Sequence, residues 1–319
     1  MTQIGQDLNV AAQLLQAGKT VAIPTETVYG LAADALKADA VAEIFRLKNR
    51  PAFDPLIIHL ANADGLEKYA SGLNKNFIKL YERFSPGPIS YVLPKKDSIP
   101  DLVTAGHPTV AVRFPKHPSA QALLKMLDFP LAAPSANLFG KVSPTNAKDV
   151  AEQLGANLDY ILDGGQCEVG LESTIIDLSA SNPKVLRLGG LSIEELEDCL
   201  GQKIEFTKNS SSNPKAPGML SAHYSPGIPV LFGHLGENLK NVNRQRCGSI
   251  SFCKAVAGIS AENQRILSPK GDLKEAAAKL FGSLRSFEKG SIDLILAEEF
   301  PAEGLGRAIN DRLNRASAT

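Results

Sequence analysis

Leu8-Asn-Val-Ala-Ala-Gln-Leu-Leu-Gln-Ala-Gly18-Lys-Thr-Val-Ala-Ile-Pro24-Thr-Glu-Thr-Val-Tyr-Gly-Leu31 holds the pattern from which the architecture is read. Leu8 to Ala17 has helical spacing and is ended by Gly18, and Thr20 to Pro24 then reads as a strand. The stretch closes as a strand running into a polar turn. Outward from it the same alternation recurs. Val41 to Leu47 is helical in pattern and Leu56 to Leu60 reads as a strand. Further strands are predicted at Ser90 to Leu93, Val110 to Phe114, Leu131 to Ala133, Tyr160 to Leu162, Thr174 to Leu178 and Val185 to Leu188. Between them lie helical patterns at Asn74 to Phe84, Ser119 to Leu127, Ala147 to Leu154 and Ile193 to Leu200. Such interleaving predicts an α/β or α+β domain around a mixed sheet.

At 319 residues the chain exceeds the size at which one core stops growing, so two domains are expected. The break falls where Thr207 to Pro217 turns rich in Lys, Asn, Ser and Pro, which is linker composition. The expected division is 1–204, a shaped linker at 205–228, and a small α/β, Rossmann-like domain at 229–319. In the last, Val230 to Phe232, Gly248 to Phe252 and Ile292 to Ala297 read as strands, and Leu273 to Glu288 and Leu305 to Ala316 as helices.

Thirty-four Lys and Arg balance 34 Asp and Glu, so no global positive field favours non-specific nucleic-acid binding. The four cysteines form no CxxC pair, which reads as reduced small hydrophobes and not as a zinc or redox site. Met1 to Val10 lacks the pattern of a signal peptide, and no apolar run reaches the roughly 20 residues of a membrane span. A cytoplasmic protein without membrane contact is the expectation.

Neither a Walker GxxxxGK[ST] nor a GxGxxG occurs, so any nucleotide needs another cradle. Several inter-strand segments are unusually polar and charged for connections. Lys48 and Arg50 close a predicted helix, where they could reach phosphates, although taken alone they read first as a solvated helix end favoured by the dipole. Arg113 ends the apolar Val110-Ala-Val, where a charge is costly without a partner. A guanidinium there suits bidentate capture of a carboxylate, or else a structural ion pair. Pro134-Ser-Ala-Asn137 offers small residues whose N–H groups suit phosphate, or an ordinary turn. Arg187 closes another apolar strand. His59, at a strand end, is read as a structural group or as a neutral proton acceptor. Tyr29 fits a pocket wall and a core position equally well.

Taken together and in order, these stretches resemble the YrdC-domain family, in the long two-domain form of its threonylcarbamoyl-adenylate synthases. They are Pro24-Thr-Glu-Thr-Val-Tyr-Gly-Leu31, Lys48-Asn-Arg-Pro51 with Pro55-Leu56, Thr109-Val-Ala-Val-Arg-Phe-Pro115, Ala133-Pro-Ser-Ala-Asn137, Ser143-Pro-Thr145, Glu172-Ser-Thr174, Val185-Leu-Arg187, and Pro217-Gly-Met219 with His223-Tyr-Ser-Pro226. Gly304 to Arg312 also looks like the end of the long form.

The resemblance implies a YrdC-like twisted mixed sheet with flanking helices. It also implies synthesis of L-threonylcarbamoyladenylate from L-threonine, bicarbonate or CO2, and ATP, with pyrophosphate released. The class would be nucleotidyltransferase and the cofactor Mg2+ carried with ATP. The product would pass to a separate complex that modifies tRNA. Carried over residue by residue, Thr27, His59, Arg113, Ala133 and Ser173 are expected on threonine. Lys48, Arg50, Asp54, Thr109, Ser135, Asn137, Ser143, Arg187 and Tyr224 are expected on ATP, with Lys48, Arg50 and Arg113 as the electrostatic set. No protein nucleophile and no protein metal ligand is assigned. Two positions depart from the family: Asp54 stands where an uncharged Asn or Ser is expected, and Leu220-Ser-Ala222 lacks the usual basic or aromatic residues. Competing readings are a carbamoyl-adenylate-forming maturation protein of the same domain family and a double-stranded RNA-binding module, with weak RNA binding by the concave face.

Overall fold

The computed structural model describes residues 2–206, 217, 222–239, 242–287 and 290–318. The predicted linker residues 207–216 and 218–221, and the expected helix end at Glu288, lie outside them.

Eleven strands form one sheet: β1 Gln3–Gly5, β2 Val21–Ile23, β3 Gly30–Asp34, β4 Ile57–His59, β5 Ile89–Pro94, β6 Thr109–Arg113, β7 Leu131–Ala132, β8 Tyr160–Leu162, β9 Thr174–Asp177, β10 Lys184–Arg187 and β11 Glu205–Phe206. Their spatial order is β1-β8-β2-β3-β7-β4-β6-β5-β9-β10-β11, with parallel and antiparallel pairs mixed. Helices α1 Leu8–Gln16, α2 Ala38–Lys48, α3 Lys75–Phe84, α4 Asp101–Thr104, α5 Pro118–Lys125, α6 Ala147–Leu154 and α7 Ile193–Leu200 complete this unit. Asp7 caps α1 through its carboxylate, and Ser192 with Glu195 makes a capping box on α7.

Strand β3 was not legible in the sequence. Gly-Leu-Ala-Ala-Asp is a poor strand former by propensity, yet β2 and β7 flank it on both sides and all five residues are buried. Tertiary pairing overrides propensity there. The two-residue β11, inside the expected linker, extends the sheet by pairing with β10.

A second sheet, ordered β12-β15-β13-β14 and parallel throughout, comprises β12 Val230–Gly233, β13 Cys247–Ser251, β14 Gln264–Ile266 and β15 Leu294–Glu298. It carries α8 Leu235–Asn238, α9 Leu273–Arg285 and α10 Gly306–Ser317. Helix α9 packs so closely on the first unit that a Cβ at Gly170 would lie 2.5 Å from the Ala278 Cα. The φ of +70° at Gly170 adds a second reason for glycine. Among the described residues no helix is long and apolar enough to cross a membrane.

Register, more than any single strand, lays out one polar edge. Strands β4 and β6 are parallel with His59 beside Arg113, and antiparallel β5 sets Ser90 opposite Arg113. Strand β9 starts one residue after Ser173, and antiparallel β10 returns to end at Arg187. Residues far apart in the chain thus line up along adjacent strand ends.

Candidate active site

A cavity of about 40 Å³ sits at this edge, and its lining includes Arg50, His59, Arg113, Ala133, Ser135, Ser173, Arg187 and Tyr224. These are eight of the residues anticipated from the sequence. The lining adds Val28, Ile57 and Pro134, which form an apolar wall, together with Glu172, Pro217 and His223. A larger, open groove of about 800 Å³ around Lys19, Lys37 and Asp159 gathers none of these residues.

Arg113 is buried against Glu26, with Nη2 donating to Oε1 at 2.7 Å, while Oε2 of Glu26 accepts the Lys116 N–H at 2.9 Å. Both readings of Arg113 therefore have a footing. One edge of the guanidinium is a structural ion pair, and the Nε–H is buried with no acceptor. A buried donor without a partner costs about 1–3 kcal/mol, which an incoming carboxylate would relieve. Glu26, 87 residues from its partner, carried no signal beyond an acid between two threonines.

His59 lies beside Arg113 with Nδ1 3.2 Å from the Ile57 carbonyl. Burial and then the Arg113 charge push its pKa down to about 3, so the ring is neutral. Thr27 is fully buried next to the wall residue Val28. Thr25 Oγ1 donates to the Val28 carbonyl at 2.6 Å, so at the 2.8 Å contact between the two hydroxyls Thr27 is the donor. Its oxygen keeps acceptor capacity. Ser173 shares a 2.7 Å hydrogen bond with Ser90 and accepts from Arg187 Nη2 at 3.1 Å.

Arg187 spreads its donors over oxygens. Nε and Nη2 reach the Ser173 carbonyl at 3.1 and 2.9 Å, and Nη1 reaches the Pro217 carbonyl at 3.1 Å. Burial lowers its pKa to about 10, so it stays charged at neutral pH. Arg50 donates to the carbonyls of Asp54 and Pro55. Its Nη2 is also 2.8 Å from Asp54 Oδ2, but at an angle that makes no hydrogen bond, and both carboxylate oxygens of Asp54 lack a donor. Desolvation correspondingly raises the Asp54 pKa and lowers that of Arg50.

The remaining anticipated residues stand behind or away from the cavity. Lys48 is buried with Nζ donating to the Ser135 and Asn137 carbonyls at 2.5 and 2.6 Å, and burial drives its pKa far down. It holds the Pro134–Asn137 loop in shape. Asn137 closes the same loop on the Leu138 and Lys141 carbonyls. Ser143 donates to Glu172 Oε1 at 2.7 Å. Thr109 begins β6, opposite Pro94 and four positions before Arg113. Tyr29 belongs to the core, its hydroxyl donating to the Gly165 carbonyl at 2.8 Å.

Tyr224 is buried in the left-handed region at φ +65°, a conformation that needs support in a bulky residue. Phe281 of α9 stacks on its ring at 5.4 Å, and the Arg312 guanidinium lies 5.4 Å from its centroid. Arg312, on α10, is 0% exposed and donates to Glu172 Oε2 at 3.0 Å. Burial raises the Glu172 carboxyl, but Arg312, Arg187 and the Ser143 hydroxyl outweigh it and hold the pKa at about 2. An arginine in an amphipathic helix reads as solvent-exposed, so nothing in the spacing marked Arg312. His223 is likewise neutral, its pKa pushed to about 3 by burial.

The family model Sua5_yciO_yrdC, described as telomere recombination, matches residues 13–189, and a second, described as threonylcarbamoyl-AMP synthase C-terminal domain, matches residues 191–318. The chain is 40% identical to the threonylcarbamoyl-AMP synthase of Pyrococcus abyssi, over 97% of this chain and 94% of that protein. It is also 40% identical to the Bacillus subtilis protein of the same name, over 96% and 92%. A crystal structure of P. abyssi Sua5 complexed with L-threonine superposes with a TM-score of 0.92 at 38% identity, covering 99% of this chain and 98% of that one.

Proposed function

We propose, on the premise that this chain belongs to the Sua5_yciO_yrdC family and carries the threonylcarbamoyl-AMP synthase C-terminal domain, that its cavity is the site where threonine and ATP react. Its role is that of a threonine-dependent synthase of threonylcarbamoyl-AMP. The observation that carries the assignment to this cavity is electrostatic. Arg50, Arg113 and Arg187 converge on one cavity in which Glu172 is the single lining carboxylate among the described residues. Glu26 and Asp54 pair Arg113 and Arg50 from outside the lining, and the donors those pairs leave unused suit two anions, a carboxylate and a triphosphate.

On this reading the amino acid occupies the His59, Arg113 and Ser173 side. Arg113 Nε takes its carboxylate, Thr27 and Ser173 flank it, and Val28, Ile57 and Ala133 supply an apolar wall. Arg50, Ser135 and Arg187 face the phosphates, with a phosphate oxygen replacing the Pro217 carbonyl on Arg187. A 40 Å³ space is too small for a nucleotide, so on this reading ATP enters by displacing the Pro217 carbonyl from Arg187. The threonine nitrogen attacks CO2, the carbamate oxygen attacks the α-phosphorus in line, and pyrophosphate departs, which makes the reaction a nucleotidyl transfer. Neutral His59 is suited to accept a hydrogen bond from the amine and orient it. The chemistry is positioning plus charge stabilisation.

Magnesium arriving with the triphosphate would neutralise phosphate charge. Asp54, whose carboxylate oxygens lack donors, is the residue that fits beside it, taking up the acid that departs from the family pattern. The adenylate would then pass to a complex that modifies tRNA. Pyrophosphate release from ATP and bicarbonate, measured with threonine, with serine and with no amino acid, tests the reading. Threonine should stimulate release most, and equal rates in all three would overturn it.

A further inference from the structure

Among the described residues, each hydrogen bond that buried Arg312 makes to the first unit goes to a residue at the site or one position away from it. Nε donates to Glu172, the neighbour of Ser173, and Nη2 donates to the Leu188 carbonyl at 2.6 Å, next to Arg187. The face of its guanidinium meets the ring of Tyr224. Nη1 is held from behind by Asp311 at 2.7 Å, which fixes the fork. One side chain from α10 thus ties together the start of β9, the end of β10 and the aromatic wall. Close approach of these segments is built into the backbone, since a Cβ at Gly189 would lie 2.2 Å from the Glu172 carbonyl.

From this arrangement we propose that Arg312 is a positioning residue of the synthase, through which the second unit completes the active site. It touches no substrate. It sets the separation of Ser173 from Arg187 and the tilt of Tyr224, and so links the threonine and phosphate sides of the cavity. The inference rests on the functional reading above. A second link between the units, the ion pair of Arg307 with Glu194, lies at the surface away from the cavity and supplies a control.

The test compares Arg312→Lys, which keeps the charge but loses the planar fork, with Arg307→Ala, which cuts a cross-unit contact only. In threonine-dependent pyrophosphate release, Arg312→Lys should lose about 30-fold or more in kcat, since misplacement by about 1 Å can cost 100-fold. Arg307→Ala should match the unaltered chain. Hydrogen exchange of the full chain supplies a readout independent of activity: amides 172–174 and 224 should exchange faster in Arg312→Lys alone. Arg312→Ala leaves Glu172 buried without a partner and is expected to unfold, so it is not the deciding variant. An active Arg312→Lys with unchanged exchange would overturn the proposal. An inactive unaltered chain would sink the functional reading instead, and exchange at 172–174 would still decide whether Arg312 holds that segment.

Discussion

The two sides of the cavity are built in different ways. On one, His59, Arg113 and Ser90 stand on adjacent strands of a single sheet, placed by register. On the other, Glu172, Arg187 and Tyr224 are held by Arg312, which comes from a helix of the second unit 140 residues after Glu172. The first side depends on backbone pairing, which neighbouring strands support independently of any one side chain. The second depends on one buried ion-pair network, where loss of a partner leaves an uncompensated charge. At His59 and Ser90 the first should therefore lose function before it loses stability, whereas Arg113, whose removal leaves Glu26 buried without its partner, and the second side should lose both together.

The strongest way to break that contrast is Arg113→Ala. Threonine-dependent turnover should fall at least 100-fold, with Arg113→Lys recovering only part of it because the fork is lost. Near-normal activity of Arg113→Ala would remove Arg113 from the carboxylate role.

Glu172→Gln should strike stability on the other side. The carboxyl shifts from an ordinary 4.5 to about 2 in the fold, a depressed value, so its contribution is present above the unfolded pKa. That contribution disappears as pH falls from about 4.5 through about 2. The shift corresponds to about 3 kcal/mol at neutral pH. Urea unfolding at pH 7 and pH 3 should show the variant weaker at pH 7 and closer to the parent at pH 3. A pH-independent difference would contradict the network.

His59→Asn sharpens the register-built side. A tenfold loss in kcat/KM for threonine, about 1.4 kcal/mol, is expected, without a change in the pH profile between 6 and 8. The folded pKa of about 3 lies below the unfolded value, so the fold keeps His59 neutral throughout that range, and its stabilisation relative to a charged ring is lost only as pH falls below about 6.5. Disappearance of an acidic limb near pH 6.5 in the variant would show that His59 titrates.

Gly170→Ala is the mildest intervention, adding a methyl where α9 meets the first unit. A loss of about 1–3 kcal/mol is expected from overpacking and the left-handed backbone, read by thermal unfolding. An unchanged melting temperature would mean that the two units do not pack at this glycine in solution.

Several of these residues are legible in the amino-acid sequence. Arg113, Arg187 and His59 end apolar runs, where a charge or an imidazole is costly, and that cost marks them. Lys48 looks the same from its helix end, but its ammonium turns into the Ser135 and Asn137 carbonyls, a choice that local sequence does not encode. Glu26 and Arg312 lie in family-like stretches but receive no role there, because their partners are 87 and 140 positions away.

By itself the sequence determined the alternation of helices and strands, the presence of a second, smaller α/β unit, and the ordered polar stretches that place the chain in its family. These are local properties, set by periodicity, punctuation and spacing along the chain. The tertiary structure alone decided that Gly30–Asp34 becomes a strand, that Arg113 pairs with Glu26 while its buried Nε stays without an acceptor, and that the last helix closes the site with Arg312. Each of those depends on burial and on partners supplied by distant segments, and neither exists until the chain has folded.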